Sequence, residues 1–304
     1  MWQLHKKSFL NLRKTPKSGC TFCEYLEGIG EERLVELLRK KDWKLISAFG
    51  TKFIDLLRKY YYIGGMPEAV AEYAQSKDYA AVRRIHEQIL FTYEQDFSKH
   101  APANVVPRIR SIWNSIPVQL SRENKKFSPG VVQKGSRLHD YELALQWLFD
   151  CGLLHQVKQV STPSTPLAGY EMNFFKIYMH DVGLLGTKSD VDVKTLLEGN
   201  RIFKEFKGAL TEQYVLQEMI ANGITPFYWS SQGKAEVDFV FKYGSEIYPL
   251  EVKAEENLQS KSLKVYSEKF DSPISFRTSM KDYRKESWLM NIPLYAIGTE
   301  FSGG

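Results

Sequence analysis

The sequence predicts a protein of mixed α and α/β class, with a helical first part, a middle part of three helices and a hairpin, and a small α/β domain last. Apolar residues recur at helical spacing in the first half, alternate over 153–160, and later form short runs rich in Val, Ile, Phe and Tyr. Interruptions at Ala101–Asn104 and Leu197–Asn200 predict boundaries near residues 100 and 200. The predicted division is therefore a poorly ordered start over 1–20, then 21–100, 101–197 and 198–304, and proteolysis is expected to release a stable fragment from about Arg201.

The first part is predicted to be an all-helical bundle. Residues 1–20 are basic and show no clear period, so little order is expected there. Pro67 suits the first turn of a helix, because a residue at that position needs no N–H donor. The predicted helices run over Thr21–Lys40 with a break at Gly28 and Gly30, Trp43–Tyr60, Pro67–Ser76 and Asp78–Lys99.

The middle part has the outline of a winged helix, which is three helices followed by a hairpin. Its predicted elements are helices at Val105–Arg122, near Pro129–Lys134 and at Leu138–Phe149, and strands at Leu153–Val160 and Ala168–Phe174. Four cations around the third helix are candidates for contacts with nucleic-acid phosphates: Lys125, Lys126, Lys134 and Arg137. That helix is also apolar enough to be buried, so DNA binding and simple packing both remain open for it. His180 and Asp181, which follow a further strand and precede a short helix, are interpreted as a capping or packing pair.

The last part carries four charged residues on predicted elements that follow one another closely. Glu212 lies three, four and seven residues before Val215, Leu216 and Met219, so it shares the apolar face of a helix and needs a partner there. Asp238 lies on a strand and is expected to project from the face opposite Val237 and Phe239. Glu251 and Lys253 are two apart on the next strand and therefore share a face, while Val252 points into the core.

Carboxylates that converge at one edge of a sheet suit a hard divalent cation such as Mg²⁺. A neighbouring Lys can stabilise a phosphate oxygen or help to generate hydroxide, which is the chemistry of phosphodiester hydrolysis. The order helix Glu, strand Asp and Glu-x-Lys resembles the restriction-endonuclease-like superfamily of nucleases. The resemblance implies that Glu212, Asp238 and Glu251 bind metal and that these three and Lys253 are catalytic, although Val237 replaces the usual Pro. A solvated strand face is the alternative interpretation of Glu-x-Lys.

Hydrolysis of DNA would also need cations beside the site to hold the phosphate backbone. Lys234, Lys261 and Lys264 are the candidates in this part of the chain.

The whole chain from about Thr21 to Ile297 resembles bacterial and archaeal AAA-type ATPases that end in a domain of unknown function. The segments that carry this resemblance are Tyr61–Val70, Phe174–Leu185, Lys207–Val215, Ala235–Phe239, Pro249–Lys253, Ser262–Tyr266 and Ile292–Ile297. The resemblance implies a helical lid over 21–100, a winged helix, and a restriction-endonuclease-like domain. The sequence contains no Gly-x-x-x-x-Gly-Lys-Ser/Thr loop, however, so ATP binding is not expected. The chain is interpreted as a form of such an ATPase without its N-terminal P-loop domain.

Two functions remain open at this stage. The first is a Mg²⁺-dependent DNA nuclease, and the second is a non-catalytic module that binds nucleic acid or a protein partner. The net charge of +5 is compatible with a nucleic-acid partner without requiring one. The sequence has neither a secretory signal nor an apolar run of about 18 residues, and its three cysteines form no disulfide or zinc pattern. A cytoplasmic location is therefore expected, with no membrane partner.

Overall fold

A computed structural model describes residues 19–198, 203–231, 235–254 and 259–301 of the chain. The described residues form fourteen α-helices, which we number in chain order. They are α1 (Phe22–Gly28), α2 (Glu32–Lys40), α3 (Trp43–Ala48), α4 (Gly50–Ile63), α5 (Pro67–Ser76), α6 (Tyr79–His100), α7 (Val106–Ser121), α8 (Pro129–Val132), α9 (Glu142–Asp150), α10 (Val182–Lys188), α11 (Val193–Glu198), α12 (Phe203–Ala221), α13 (Lys261–Phe270) and α14 (Ile297–Glu300). Short 3₁₀ helices occupy Leu138–Asp140, Leu167–Tyr170 and Leu294–Ala296. The prediction for residues 1–18 lies outside the described residues.

Among the described residues, eight strands form one mixed sheet. They are β1 (Leu154–Val160), β2 (Glu171–Met179), β3 (Phe227–Ser230), β4 (Glu236–Tyr243), β5 (Glu246–Val252), β6 (Ser275–Ser279), β7 (Arg284–Lys285) and β8 (Leu289–Pro293). Their order across the sheet is β2-β1-β3-β4-β5-β6-β8-β7. The pairs β1/β3, β5/β6 and β6/β8 are parallel, and the other neighbours are antiparallel.

The hairpin of the middle part belongs to this common sheet. β1 pairs with β2 on one side and with β3 on the other, where Gln159 lies opposite Tyr228. A winged helix carries its hairpin as a separate wing, so the architecture does not confirm that assignment. What the structure shows is a mixed α/β protein with one sheet that crosses the predicted boundary near residue 200.

Several elements differ from their predicted bounds. The return strand begins at Glu171 rather than Ala168, because the N–H of Ser161 donates to the carbonyl of Tyr170 (3.0 Å) and closes the hairpin loop there. That strand continues to Met179 and so includes the start of the segment predicted as a separate strand. The helix predicted over Trp43–Tyr60 is divided at Phe49, where the backbone leaves helical geometry (φ −97°, ψ 9°).

The third helix of the middle part is divided as well. A 3₁₀ turn covers Leu138–Asp140, and α9 begins only at Glu142, after Tyr141. The side chain of Asp140 accepts a hydrogen bond from the N–H of Arg137 (2.8 Å) and thereby stabilises the separate turn.

Two buried clusters cover the two faces of the sheet. The larger one contains residues from all three predicted parts, for example Tyr60 in α4, Trp113 in α7 and Tyr214 in α12. The smaller one lies under α13 and contains Trp229, Val237 and Tyr266. The parts therefore share buried surface, and the domain boundaries stay predictions. No helix in the described ranges is long and apolar enough to cross a membrane.

The interpretation of His180 and Asp181 as a structural pair is confirmed. Asp181 is fully buried and caps α10 by accepting from the N–H of Leu184 (2.9 Å). Its second oxygen accepts from the N–H of Gly65 (2.6 Å), which fixes the turn between α4 and α5 to α10. His180 contacts the carbonyl of Leu153 through Nδ1 (3.3 Å).

Candidate active site

An open cleft of about 570 Å³ lies where α12 meets β4 and β5. Glu212, Asp238, Glu251 and Lys253 all line it. The structure therefore brings together, in one cleft, the four residues that the sequence proposes as a site. The remaining lining residues are Glu123, Asn124, Lys126, Ser230, Ala235, Glu236, Val252 and Ser262.

Glu212 is buried on α12 and has a partner for each carboxylate oxygen. The ammonium of Lys125 pairs with Oε1, and the hydroxyl of Tyr178 donates to Oε2 (3.0 Å). Burial alone would raise the pKa of Glu212, but the ammonium groups of Lys125 and Lys176 hold that pKa below its ordinary value. The carboxylate is therefore ionised and neutralised inside the cleft, as its position on an apolar helix face requires.

Asp238 is half-buried near the start of β4, where the strand is irregular. The register between β3 and β4 shifts by one residue between the pairs Phe227–Val240 and Trp229–Val237. Val237 consequently packs in the smaller cluster and Phe239 in the larger one, so the prediction that these two share a face is wrong. Irregularities of this kind change the direction in which a side chain points, and they are common beside functional sites.

The carboxylate of Asp238 accepts a hydrogen bond from the N–H of Val252 (2.8 Å), which connects β4 to the end of β5. Burial and the charge of Glu212 raise the pKa of Asp238 to about 7, and Lys176, Lys125 and the hydrogen bond offset this rise only in part. Asp238 thus titrates near neutral pH.

Glu251 and Lys253 form the predicted pair at the end of β5. The ammonium of Lys253 lies 2.7 Å from Oε1 of Glu251, while Val252 is buried in the core between them. Oε2 of Glu251 is buried and has no hydrogen-bond partner among the described residues. Such an oxygen is costly in a folded protein unless something further binds it.

Sequence reasoning missed a second buried cation, Lys176 in β2. Its side chain is 1% exposed, and its ammonium lies 2.6 Å from Oε1 of Glu236. Burial would lower the pKa of Lys176, but Glu212, Glu236 and Asp238 together raise it above the ordinary value. A Lys inside the apolar run Phe174–Met179 was the available signal, because a buried ammonium needs a carboxylate partner.

The residues that are predicted to contact nucleic acid lie in different surroundings. Lys125 is largely buried against Glu212 rather than on an outer surface, and Lys126 lines the cleft with its ammonium over the ring of Phe174. Lys134 and Arg137 are exposed between α8 and α9, and Lys261 and Lys264 are exposed on α13. Lys234 lies outside the described residues. Contact with nucleic acid stays a prediction for each of them.

The donor chemistry of the cleft fits a small hard cation. No group of three or more His, Cys, Asp and Glu side chains in the described part of the chain is arranged to hold a metal. Mg²⁺ in proteins, however, often takes only one or two carboxylates, keeps several waters and binds substrate phosphate. Five carboxylate residues line the cleft, namely Glu123, Glu212, Glu236, Asp238 and Glu251, and the unpartnered oxygen of Glu251 is one available donor.

The structure therefore defines a class of protein: a mixed α/β protein with a charged cleft between a helix and a common sheet. Two domains of unknown function match the chain, DUF8612 over residues 54–195 and DUF4143 over residues 207–297. DUF4143 is often associated with AAA ATPases. No curated protein and no solved structure matches the chain significantly.

The residues of the cleft and the groups that contact them come from both matched regions. Lys125, Lys176 and Tyr178 lie within the DUF8612 match, while Glu212, Asp238, Glu251 and Lys253 lie within the DUF4143 match. The site is thus built from both.

Proposed function

We propose that the chain is a Mg²⁺-dependent nuclease of the restriction-endonuclease-like type, which cleaves DNA phosphodiester bonds in this cleft. The observation that supports the proposal is the meeting of Glu212, Asp238, Glu251 and Lys253 in one cleft. These residues come from α12, β4 and the end of β5, and residue types and spacing alone selected them. Surface charges chosen in this way would have no reason to share one cleft.

In this proposal Asp238 and Glu251 hold Mg²⁺, with Glu212 as a third carboxylate within the same cleft. The ion, when bound, supplies Lewis-acid polarisation of a phosphate oxygen and a water of lowered pKa. Lys253, held by Glu251, offers a positive charge to the oxyanion that develops on the phosphate. Lys261 and Lys264 are exposed on α13, whose residue Ser262 lines the cleft, so they are candidates for holding the DNA backbone.

The test is cleavage of supercoiled, linear and branched DNA by the purified chain with Mg²⁺ or Mn²⁺. Asp238→Asn and Lys253→Met are expected to lose at least about a hundredfold in rate, which is typical when a single preorganised electrostatic contact is removed. Glu246→Gln and Lys242→Met are the matched controls, since Glu246 and Lys242 are exposed on β5 and β4 and neither residue lines the cleft. Cleavage that survives in Asp238→Asn, or is absent in the unmodified chain, would refute the proposal.

A second candidate function is a non-catalytic module that binds nucleic acid or a protein partner. It is favoured by a specific observation: Lys125, Lys253 and Lys176 form ion pairs with Glu212, Glu251 and Glu236, so side chains of the chain itself neutralise these carboxylates. Salt-sensitive DNA binding that Asp238→Asn leaves unchanged, together with no cleavage, would identify this function.

We also propose that the chain is related to AAA-type ATPases with a helical lid, a winged helix and a nuclease-like domain, and that this chain itself binds no ATP. Support for the relation comes from the DUF4143 match and from the sequence segments that resemble such ATPases. Neither of the two candidate functions requires ATP hydrolysis.

A further inference from the structure

Each carboxylate oxygen of Glu212 contacts another group of the chain. Lys125 takes one carboxylate oxygen and Tyr178 takes the other. The contact with Lys125 is sheltered from water, because the side chains of Lys125 and Glu212 are 14% and 9% exposed. Each oxygen of Glu212 therefore already has a contact within the chain, whereas Oε2 of Glu251 has no partner among the described residues.

Two positive groups cannot share one buried carboxylate at low cost. Like charges a few ångströms apart repel strongly where water is largely excluded, and each then disfavours the other's charged state. A cation that approaches Oε1 of Glu212 must consequently meet the ammonium of Lys125 at that oxygen. The displacement of one by the other is the simplest outcome.

The position of Lys125 in the chain permits this displacement. It follows an exposed joint, Arg122–Asn124, and precedes residues that are anchored to β2. The anchors are a bridge between Lys126 and Lys176 and a hydrogen bond from the N–H of Phe127 to the carbonyl of Phe175 (2.8 Å). The backbone after Lys125 is thus fixed, while its long side chain can leave the cleft by changing rotamers toward the exposed joint.

We propose that Lys125 is a built-in counter-ion, which neutralises Glu212 and must leave that carboxylate before a divalent cation binds there. This inference rests on the proposed function, because it assumes that the cleft takes such a cation. It assigns to Lys125 a regulatory role at the site.

The first arm of the test is calorimetric titration of the purified chain with Mn²⁺ and with Mg²⁺. Lys125→Gln removes the competing charge and keeps a long polar side chain. We expect it to bind the cation at least about tenfold more tightly than the unmodified chain, which corresponds to about 1.4 kcal/mol. Lys126→Gln is the matched control, since Lys126 lines the cleft and has the same charge as Lys125, but its ammonium lies over the ring of Phe174 and not against Glu212. Its effect should be limited to the small general change that the loss of one nearby charge causes.

The second arm uses the unmodified chain, so it does not depend on the folding of a variant. A lysine-specific acylating ester is applied with and without saturating Mn²⁺, and mass spectrometry measures the labelling of Lys125 and Lys126. We expect Mn²⁺ to increase the labelling of Lys125 severalfold while that of Lys126 changes little. Asp238→Asn should abolish the increase.

The outcomes separate this inference from the proposed function. Metal binding to the unmodified chain, with no tighter binding by Lys125→Gln and no change in labelling, would overturn the counter-ion role and leave the nuclease proposal standing. Binding by Lys125→Gln alone would support the inference in its strongest form. Absence of metal binding in both chains would overturn the inference and the metal-dependent function together.

Discussion

Asp238→Asn should stabilise the folded chain at alkaline pH, although Asp238 is a candidate functional residue. The pKa of Asp238 in the fold is about 7, compared with 3.8 for an ordinary Asp. Because the folded-state pKa is raised, the stability that comes from the bound proton is fully present below about pH 4 and is lost as pH rises through 7. Asn remains neutral throughout, and its side-chain oxygen can still accept from the N–H of Val252.

The size of the effect follows from the pH range. Between pH 5 and pH 8 the folded chain keeps the proton of Asp238 up to about pH 7, whereas the unfolded chain has already lost it at pH 5. Over these two pH units the free energy of unfolding of the unmodified chain falls by about 2 to 3 kcal/mol. The free-energy advantage of Asp238→Asn over the unmodified chain should therefore grow by that amount between the two pH values. Burial and the charge of Glu212 are the causes, so the effect belongs to the cleft and not to the general charge of the protein.

The assay is urea denaturation followed by tryptophan fluorescence at pH 5 and pH 8, with linear extrapolation of the free energy of unfolding. Glu246→Gln serves as control, because Glu246 is exposed on β5 and should show no comparable change with pH. An advantage of Asp238→Asn that is equal at both pH values, or larger at pH 5, would refute the assigned environment of Asp238.

Two further predictions concern the whole chain. Calorimetry with Mg-ATP should show no heat of binding, because the sequence has no loop of aligned backbone N–H groups and no P-loop Lys for the phosphates; a micromolar dissociation constant would contradict this. A fragment of residues 198–304 should show no cooperative thermal transition by circular dichroism, since β3 would lose its parallel neighbour β1 and Glu212 would lose Lys125 and Tyr178. The sequence-based expectation of a stable proteolytic fragment from about Arg201 predicts the opposite result, and a sharp transition would support that expectation.

Local patterns account for the part of the site that was predictable. The apolar residues around Glu212 indicated a buried carboxylate that needs a partner, and the alternation of β5 indicated that Glu251 and Lys253 share a face. Both depend on residues within a few positions of each other, where helix and strand geometry are reliable guides. The helices of the first part were predictable for the same reason.

The partners of those residues were not predictable, because they depend on tertiary contacts. Nothing in the residues around Lys125 indicates that it pairs with Glu212, and Lys125 was instead assigned to a phosphate-binding surface. The face of the sheet on which Val237 packs depends on the register shift between β3 and β4. A prediction that assumes strict alternation of strand residues cannot anticipate such a shift. The hairpin was predicted correctly as a hairpin but assigned to a separate part, since its pairing with β3 spans more than sixty residues of the chain.

The cleft contains side chains from both matched domains, so its chemistry should be studied in the intact chain. Three groups come from the first match: the ammonium groups of Lys125 and Lys176 and the hydroxyl of Tyr178. The carboxylates that they contact, Glu212 and Glu236, come from the second match. An isolated second domain would expose Glu212, Asp238 and Glu236 without these partners. Their negative charges would then either attract cations non-specifically or, by repelling one another, distort the cleft. Metal binding by such a fragment would say little about the intact chain, in which the ammonium of Lys125 pairs with Glu212. Both matched regions therefore contribute side chains to this site, and an experiment on either proposed function needs the intact chain.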